Sequence, residues 1–178
     1  MRKLLLCTLC ATAFLACTDK AGTLRGRLDA LDKEFSGADV TDKKKAEEFI
    51  VTAEQLAALI KEKDPDQYAD LILKAAGLAK TIENPHKAVE LYTQLAEGMP
   101  NHPKAPTALF MLGFVYENDL GDLAKARSVY ESFLQKYPDD PGFADDAKFS
   151  LENLGVPPDS LAKKFEQMNK DSSARVGK

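Results

Sequence analysis

Apolar residues recur along this chain at helical spacing, and no segment alternates polar with apolar over the length of a strand. The pattern predicts an all-α protein without a sheet. Leu24, Leu28, Leu31 and Phe35 fall at i, i+4, i+7 and i+11, which predicts a short amphipathic helix in a stretch otherwise polar and marked by Gly22, Gly26, Ser36 and Gly37. A longer helix is predicted from Thr41 or Asp42 to Lys63, with Phe49, Ala53, Leu56 and Ile60 on one face. Lys43, Lys44 and Lys45 near its start oppose the helix dipole; Asp42, Glu47 and Glu48 offset them, and the lysine run reads as a solvated face.

Punctuation divides the remainder. Asp64-Pro65, Asn84-Pro85, Pro100 to Pro103, Gly121-Asp122, Pro138 to Pro141 and Pro157-Pro158 delimit helices at 66–83, 85–98, 104–118, 122–137, 142–154 and 159–169. Asn84 is a good N-cap with Pro85 at the first helical position, and Pro138 cannot continue the helix before it.

These signals repeat. Ala88, Tyr92, Pro100 and Pro103 recur 38 residues later as Ala126, Tyr130, Pro138 and Pro141, and Gly77 recurs 36 residues later as Gly113. The two-residue difference falls in the turn between paired helices, where insertions are tolerated. Leu109, Leu112, Gly113 and Tyr116, followed by Ala126, Tyr130 and Pro138, resemble the tetratricopeptide repeat family in order and nearly in spacing, with Leu109 where tryptophan is usual. Gly77, Ala88, Tyr92 and Pro100, with Leu73 and Ala76, form a weaker copy that has Lys80 in place of the tyrosine. A third unit keeps Ala147, Leu154 and Phe165 but has Leu151 where glycine is expected, as terminal repeats are often atypical.

The resemblance implies a stack of about three helical hairpins, an α-solenoid with repeats at 66–100, 104–138 and 142–169, preceded by an extra N-terminal helix within a repeat domain at 41–169. Gly113 and Ala126 would be small where two helices approach closely, and Tyr116 and Tyr130 would fill the space beside them.

The N-terminus carries a different signal. Met1-Arg2-Lys3 is basic, and Leu4 to Ala16 follows without a charge, as in a secretory signal peptide spanning 1–16. The run is shorter than the ~20 apolar residues that span a bilayer. Phe14-Leu15-Ala16-Cys17 resembles the lipobox of bacterial lipoproteins, which implies cleavage before Cys17 and a lipid on that residue. The competing reading is a plain secretory signal or anchor in which Cys17 is incidental. Residues 17–40 read as a tether carrying the short amphipathic helix, and 170–178 as a polar, disordered tail. Thr18 is not the aspartate that retains lipoproteins in the inner membrane of enterobacteria, so the resemblance implies a cell-envelope location at the outer membrane, facing the periplasm.

Composition narrows the chemistry. The 178 residues carry a net charge of -4, and the three cysteines all lie at or before Cys17, so a disulfide framework, a thiolate zinc site or a catalytic cysteine in the body of the chain is excluded. His86 and His102 sit on separate turns without metal-ligand spacing. Asp139-Asp140 and Asp145-Asp146 flank a turn and a helix start, where carboxylates stabilise the dipole, and lack the spacing of a calcium loop. No serine lies on a nucleophile elbow. With four arginines after Cys17 and an acidic balance, a nucleic-acid surface is not expected. No catalytic residue, metal or cofactor is expected.

Stacked hairpins form a superhelix whose concave face binds peptides or partner helices. The family's groove positions fall here on Lys74 and Leu78 in the first repeat, on Thr107, Phe110, Phe114, Glu117 and Asn118 in the second, and on Lys148 and Glu152 in the third. For Phe110 and Phe114 a second fate is open: core residues, covered by an N-terminal helix lying in the groove. Leu-Gly-x-x-Tyr at 112–116 followed by Tyr-Pro-Asp-Asp-Pro at 137–141 is similar to two groups of envelope repeat lipoproteins, those that assemble outer-membrane β-barrels and those that work with the Tol-Pal system. The resemblance implies a non-enzymatic, membrane-anchored adaptor or scaffold for an envelope protein or peptide. The alternative is a self-associating structural envelope protein.

Overall fold

The computed structural model describes residues 20–35, 42–157, 159–163 and 166. The expected signal peptide at 1–16, the expected lipidation site Cys17 and the expected tail at 170–178 lie outside them. Helix α1 covers 20–35, followed by α2 (Lys43–Ile60), α3 (Pro65–Thr81), α4 (Pro85–Gly98), α5 (Ala105–Asn118), α6 (Leu123–Lys136) and α7 (Ala144–Glu152), with helical turns again at 159–163. Among the described residues there is no strand.

The even-numbered helices all start in the same way. Asp42, Asn84 and Asp122 are the N-caps of α2, α4 and α6, and each side chain accepts a hydrogen bond from the backbone N–H three residues on, at Lys45, Lys87 and Lys125. Such a cap contributes about 1 kcal/mol. One residue further stand Ala46, Ala88 and Ala126, each with no exposed surface. Helix α3 has Asp64 as cap and Pro65 in its first turn. Helix α5 has no side-chain cap, and its start is set by Pro106 and by a turn in which the His102 Nδ1 accepts from the Lys104 N–H at 3.2 Å.

Neighbouring helices run antiparallel, and the odd-numbered ones lie parallel in one layer. Arg27 pairs with Glu48, and Glu34 with Lys45, so α1 runs against α2. Arg25 donates to Gln67 at 2.9 Å and Asp32 meets Lys74, so α1 runs along α3 in the same direction. Between α3 and α5 the same holds, with Asp66 against His102, Asp70 against Lys104 and Lys80 against Asp119. The result is an α-solenoid of stacked hairpins, with α1, α3, α5 and α7 forming one layer and α2, α4 and α6 the other.

Residues 20–35, expected as a short helix within a tether, are docked on this stack. Leu24, Leu28 and Leu31 are buried, and the Phe35 ring meets Phe49 edge-on at 6.0 Å between centroids. The additional N-terminal helix is thus α2, half of a hairpin whose other half is α1. The apolar stripe was visible in the sequence; its partner surface on α2 and α3 was not.

One core runs through the stack. Tyr68, Ile72, Leu91 and Leu95 close the hairpin α3–α4, and Val115, Tyr130 and Phe133 the hairpin α5–α6, all with their side chains fully enclosed. Burial of each such side chain contributes ~1.5–3 kcal/mol. Gly113 is a true close approach, since a Cβ there would stand 2.6 Å from Tyr130 Cε1 and 2.8 Å from Cδ1. Gly77 is not: a Cβ there would meet nothing within 4 Å. Leu112 and Tyr92 are buried, while Tyr116 is half-buried under the Lys125 ammonium, 5.2 Å from its ring. Pro100 and Pro138 lie exposed in the turns after α4 and α6, and the Tyr137 hydroxyl donates to the Pro100 carbonyl at 2.7 Å, tying the two turns together.

Candidate partner-binding groove

The parallel layer α1, α3, α5 and α7 offers one continuous face crossed by side chains reaching between helices. Asp32 with Lys74, Asp66 with His102, Asp70 with Lys104 and Lys80 with Asp119 span consecutive members of the layer. Exposed ion pairs of this kind contribute ~0–1 kcal/mol each, so they set register between repeats more than they stabilise. Sequence reasoning missed them because each joins residues that become neighbours only through stacking.

The residues expected to line the groove divide into two sets. Phe110 belongs to the core: it is 8% exposed, stacks on Phe143 at 4.6 Å and packs against Tyr130 and Phe133 at 5.7 and 6.1 Å. The cover comes from the turn before α7 and from α6, and not from an N-terminal helix lying in the groove. Leu78 is also buried, beside the stacked helices of its own layer. Of the two fates open for Phe110 the structure gives the core one, and Leu78 is corrected from groove to core. Aromatic side chains stacked in this way contribute beyond their area, which explains why a phenylalanine occupies the most enclosed of the second repeat's groove positions.

The second set stays at the surface. Phe114 is half-buried, one turn beyond Phe110, and the Lys80 ammonium lies 5.1 Å from its ring centroid. Thr107 is half-buried on the same helix, and Asn118 is exposed with its amide donating to the Phe114 carbonyl at 3.1 Å. Glu117 is half-buried and turned inward, where its Oε2 accepts the Tyr130 hydroxyl at 2.9 Å; its role is to hold that ring. Lys74 is exposed but engaged, with Asp32 and with the ring of Phe49 at 5.3 Å. Lys148 pairs with Asp145 at 3.2 Å, and Glu152 is exposed. Phe114, Thr107 and Asn118 are therefore brought together on α5, while Lys148 and Glu152 extend the face along α7.

Met111 and Phe143, both half-buried against the core, went unremarked in the groove reading. Among the described residues, no three His, Cys, Asp or Glu side chains gather as a metal site.

The helix pair α5–α6, with its enclosed Gly113, Ala126 and Tyr130, decides the relationship. Residues 107–140 match the tetratricopeptide repeat family. The matched repeat runs from Thr107 on α5 to Asp140 in the turn that leads to α7, and it contains Phe114, Glu117 and Asn118. Tetratricopeptide repeats generally mediate protein interactions. No curated protein and no solved structure matches the chain.

Proposed function

We propose that this protein is a non-enzymatic, lipid-anchored interaction module of the bacterial cell envelope, in which the groove on the odd-numbered helices holds a segment of a partner protein. The observation that carries the reading is the half-exposed ring of Phe114 in the matched repeat. The core beneath it is already closed by Phe110, so the ring is a surface group flanked by hydrogen-bonding side chains, as a peptide-binding face requires. The anchor rests on Cys17 at the end of the apolar run Leu4 to Ala16. Localisation at the outer membrane, on its periplasmic side, is part of the same proposal.

A second reading has its own observation. Leu123, Phe149 and Val156 are 40%, 41% and 39% exposed at the C-terminal end of the stack. Self-association through that end would cover them.

Photo-crosslinking in living cells separates the two. With the crosslinker at Thr107, adducts with a second protein are expected, absent when it replaces the exposed Arg127 on α6 and lost with Cys17→Ala. Adducts that are equal at both positions overturn the groove. Adducts of the chain with itself alone favour self-association.

A further inference from the structure

The position of α1 relative to Cys17 leads beyond a generic anchor. We propose that the edge of the solenoid formed by the start of α1 and by the turns α2–α3 and α4–α5 lies against the lipid surface, so that the helices stand upright on the membrane. This rests on the lipid anchor proposed above.

Only Thr18 and Asp19 separate Cys17 from Lys20, the first described residue of α1. Each residue spans at most ~3.3–3.6 Å, so the lipid attachment and the helix start are within ~10 Å of each other. The polar layer on each side of a bilayer's hydrocarbon core is itself ~5–8 Å deep. The first turn of α1 is thus held at headgroup level, with no slack to let the domain drift away.

Packing then carries the constraint to the rest of the edge. Because the odd-numbered helices are parallel, the starts of α3 and α5 lie on the same side as the start of α1, joined through Arg25 to Gln67 and through Asp66 to His102. The even-numbered helices end there: Gln94 near the end of α4 donates to the Tyr68 hydroxyl at 2.9 Å, and Tyr137 after α6 reaches Pro100. The edge next to the anchor carries Lys20, Lys61 and Lys63, with the Lys61 ammonium 5.5 Å from the Tyr68 ring centroid, and against them the exposed Glu62, Asp66 and Glu97 and the half-buried Asp64. Beside these groups Pro65, Met99, Pro100 and Pro103 line a shallow apolar depression of about 490 Å³. Charges of the two signs offset one another here, so the apolar depression next to the anchor, and not net charge, turns this edge to the lipid. The same edge turns more acidic further on, at Asp139 and Asp140, so the end near α7 is lifted from an anionic surface while the end near α1 is held by the anchor. The opposite edge, with the turns α3–α4 and α5–α6, stands ~25 Å away, the length of α3 at ~1.5 Å per residue. The groove then opens sideways, and a segment crossing its helices runs parallel to the membrane.

Fluorescence quenching on the lipidated protein tests this. Cys7 and Cys10 leave with the signal peptide and Cys17 carries the lipid, so an added cysteine is the one reactive thiol. Glu62→Cys and Asn101→Cys report on the proposed edge, His86→Cys and Ala124→Cys on the opposite one; all four positions are exposed. In vesicles of phosphatidylethanolamine and phosphatidylglycerol carrying a headgroup nitroxide, fluorescence is expected to be lost at 62 and 101 and kept at 86 and 124. Equal loss at all four positions, or greater loss at 86 and 124, overturns the orientation while leaving the anchor in place. A reactive thiol in the wild-type protein purified from its host membranes shows Cys17 to be unmodified, and overturns the anchor and the orientation together.

Discussion

The hairpins α3–α4 and α5–α6 share a glycine in the first helix and an alanine and a tyrosine in the second, yet they use the glycine differently. Over Gly113 the Tyr130 ring fills the place a Cβ would take, held by its hydroxyl on Glu117 and by Phe110 alongside. In the earlier hairpin Thr81 stands where Glu117 does in the later one, and its hydroxyl turns back to the Gly77 carbonyl at 3.0 Å. Lys74 stands in the place of Phe110. Nothing there holds a tyrosine over Gly77; Tyr92 is buried elsewhere, close enough to Asp119 for that charge to disfavour its phenolate. The same residue is a packing requirement in one repeat and only a loss of helix propensity in the other.

The largest effect that sharpens this contrast is expected at Phe110. Phe110→Ala should cost ~3–5 kcal/mol, because it leaves a cavity among Phe143, Tyr130 and Phe133. Phe114→Ala should cost well under half as much and act on partner binding instead. Urea titration of both variants checks this, and equal losses would mean that Phe114 is core as well.

Next comes Gly113→Leu, which drives a side chain into Tyr130 and should cost about 3 kcal/mol. In a chain of this size the melting temperature should drop by roughly 6–12 °C. Wild-type melting of that variant would break the assigned register of the repeat.

Alkaline pH probes the two tyrosines directly. Burial, with a smaller push from Asp119, raises the Tyr92 phenol to about 12, and burial with the Glu117 hydrogen bond raises Tyr130 as well. The folded protein keeps these protons where the unfolded chain, titrating near 10, has lost them. Stability is therefore full below pH ~10 and falls as the pH climbs from ~10 towards 12. Denaturation midpoints at pH 8 and 11 should show the loss, and Tyr92→Phe should reduce it.

The smallest effect has the opposite sign. Gly77→Ala should stabilise the protein by ~0.5–1 kcal/mol, because the new methyl meets open space and the unfolded chain loses freedom. Gly113→Ala should destabilise it. If both substitutions acted alike in thermal melts, the two glycines would be equivalent after all.

Much of this architecture could be read from residues close in sequence. Asn84 with Pro85 and the turn at Pro138 announced their helix ends, and Ala88 and Ala126 announced where two helices touch. The first hairpin was harder to see because it lacks the tyrosine and the glycine. A signal was nevertheless present: Asp42, Asn84 and Asp122 are each followed three residues on by lysine and then by alanine, and Ala46 lies 42 residues before Ala88. The groove was half legible. Helical spacing puts Phe110 and Phe114 on one face of α5, but it does not say that Phe143 comes back from the next turn to cover only one of them.

Local chemistry alone determined the all-α class, the caps and most helix boundaries, since each depends on backbone bonds and side chains within four residues. The apolar run before Cys17 is local in the same sense. Tertiary structure decided which glycine is enclosed, which phenylalanine faces solvent and that 20–35 docks as half of a hairpin. Those outcomes depend on what a neighbouring repeat brings to the same place, and that neighbour is some forty residues away in sequence, where spacing within a helix carries no information about it.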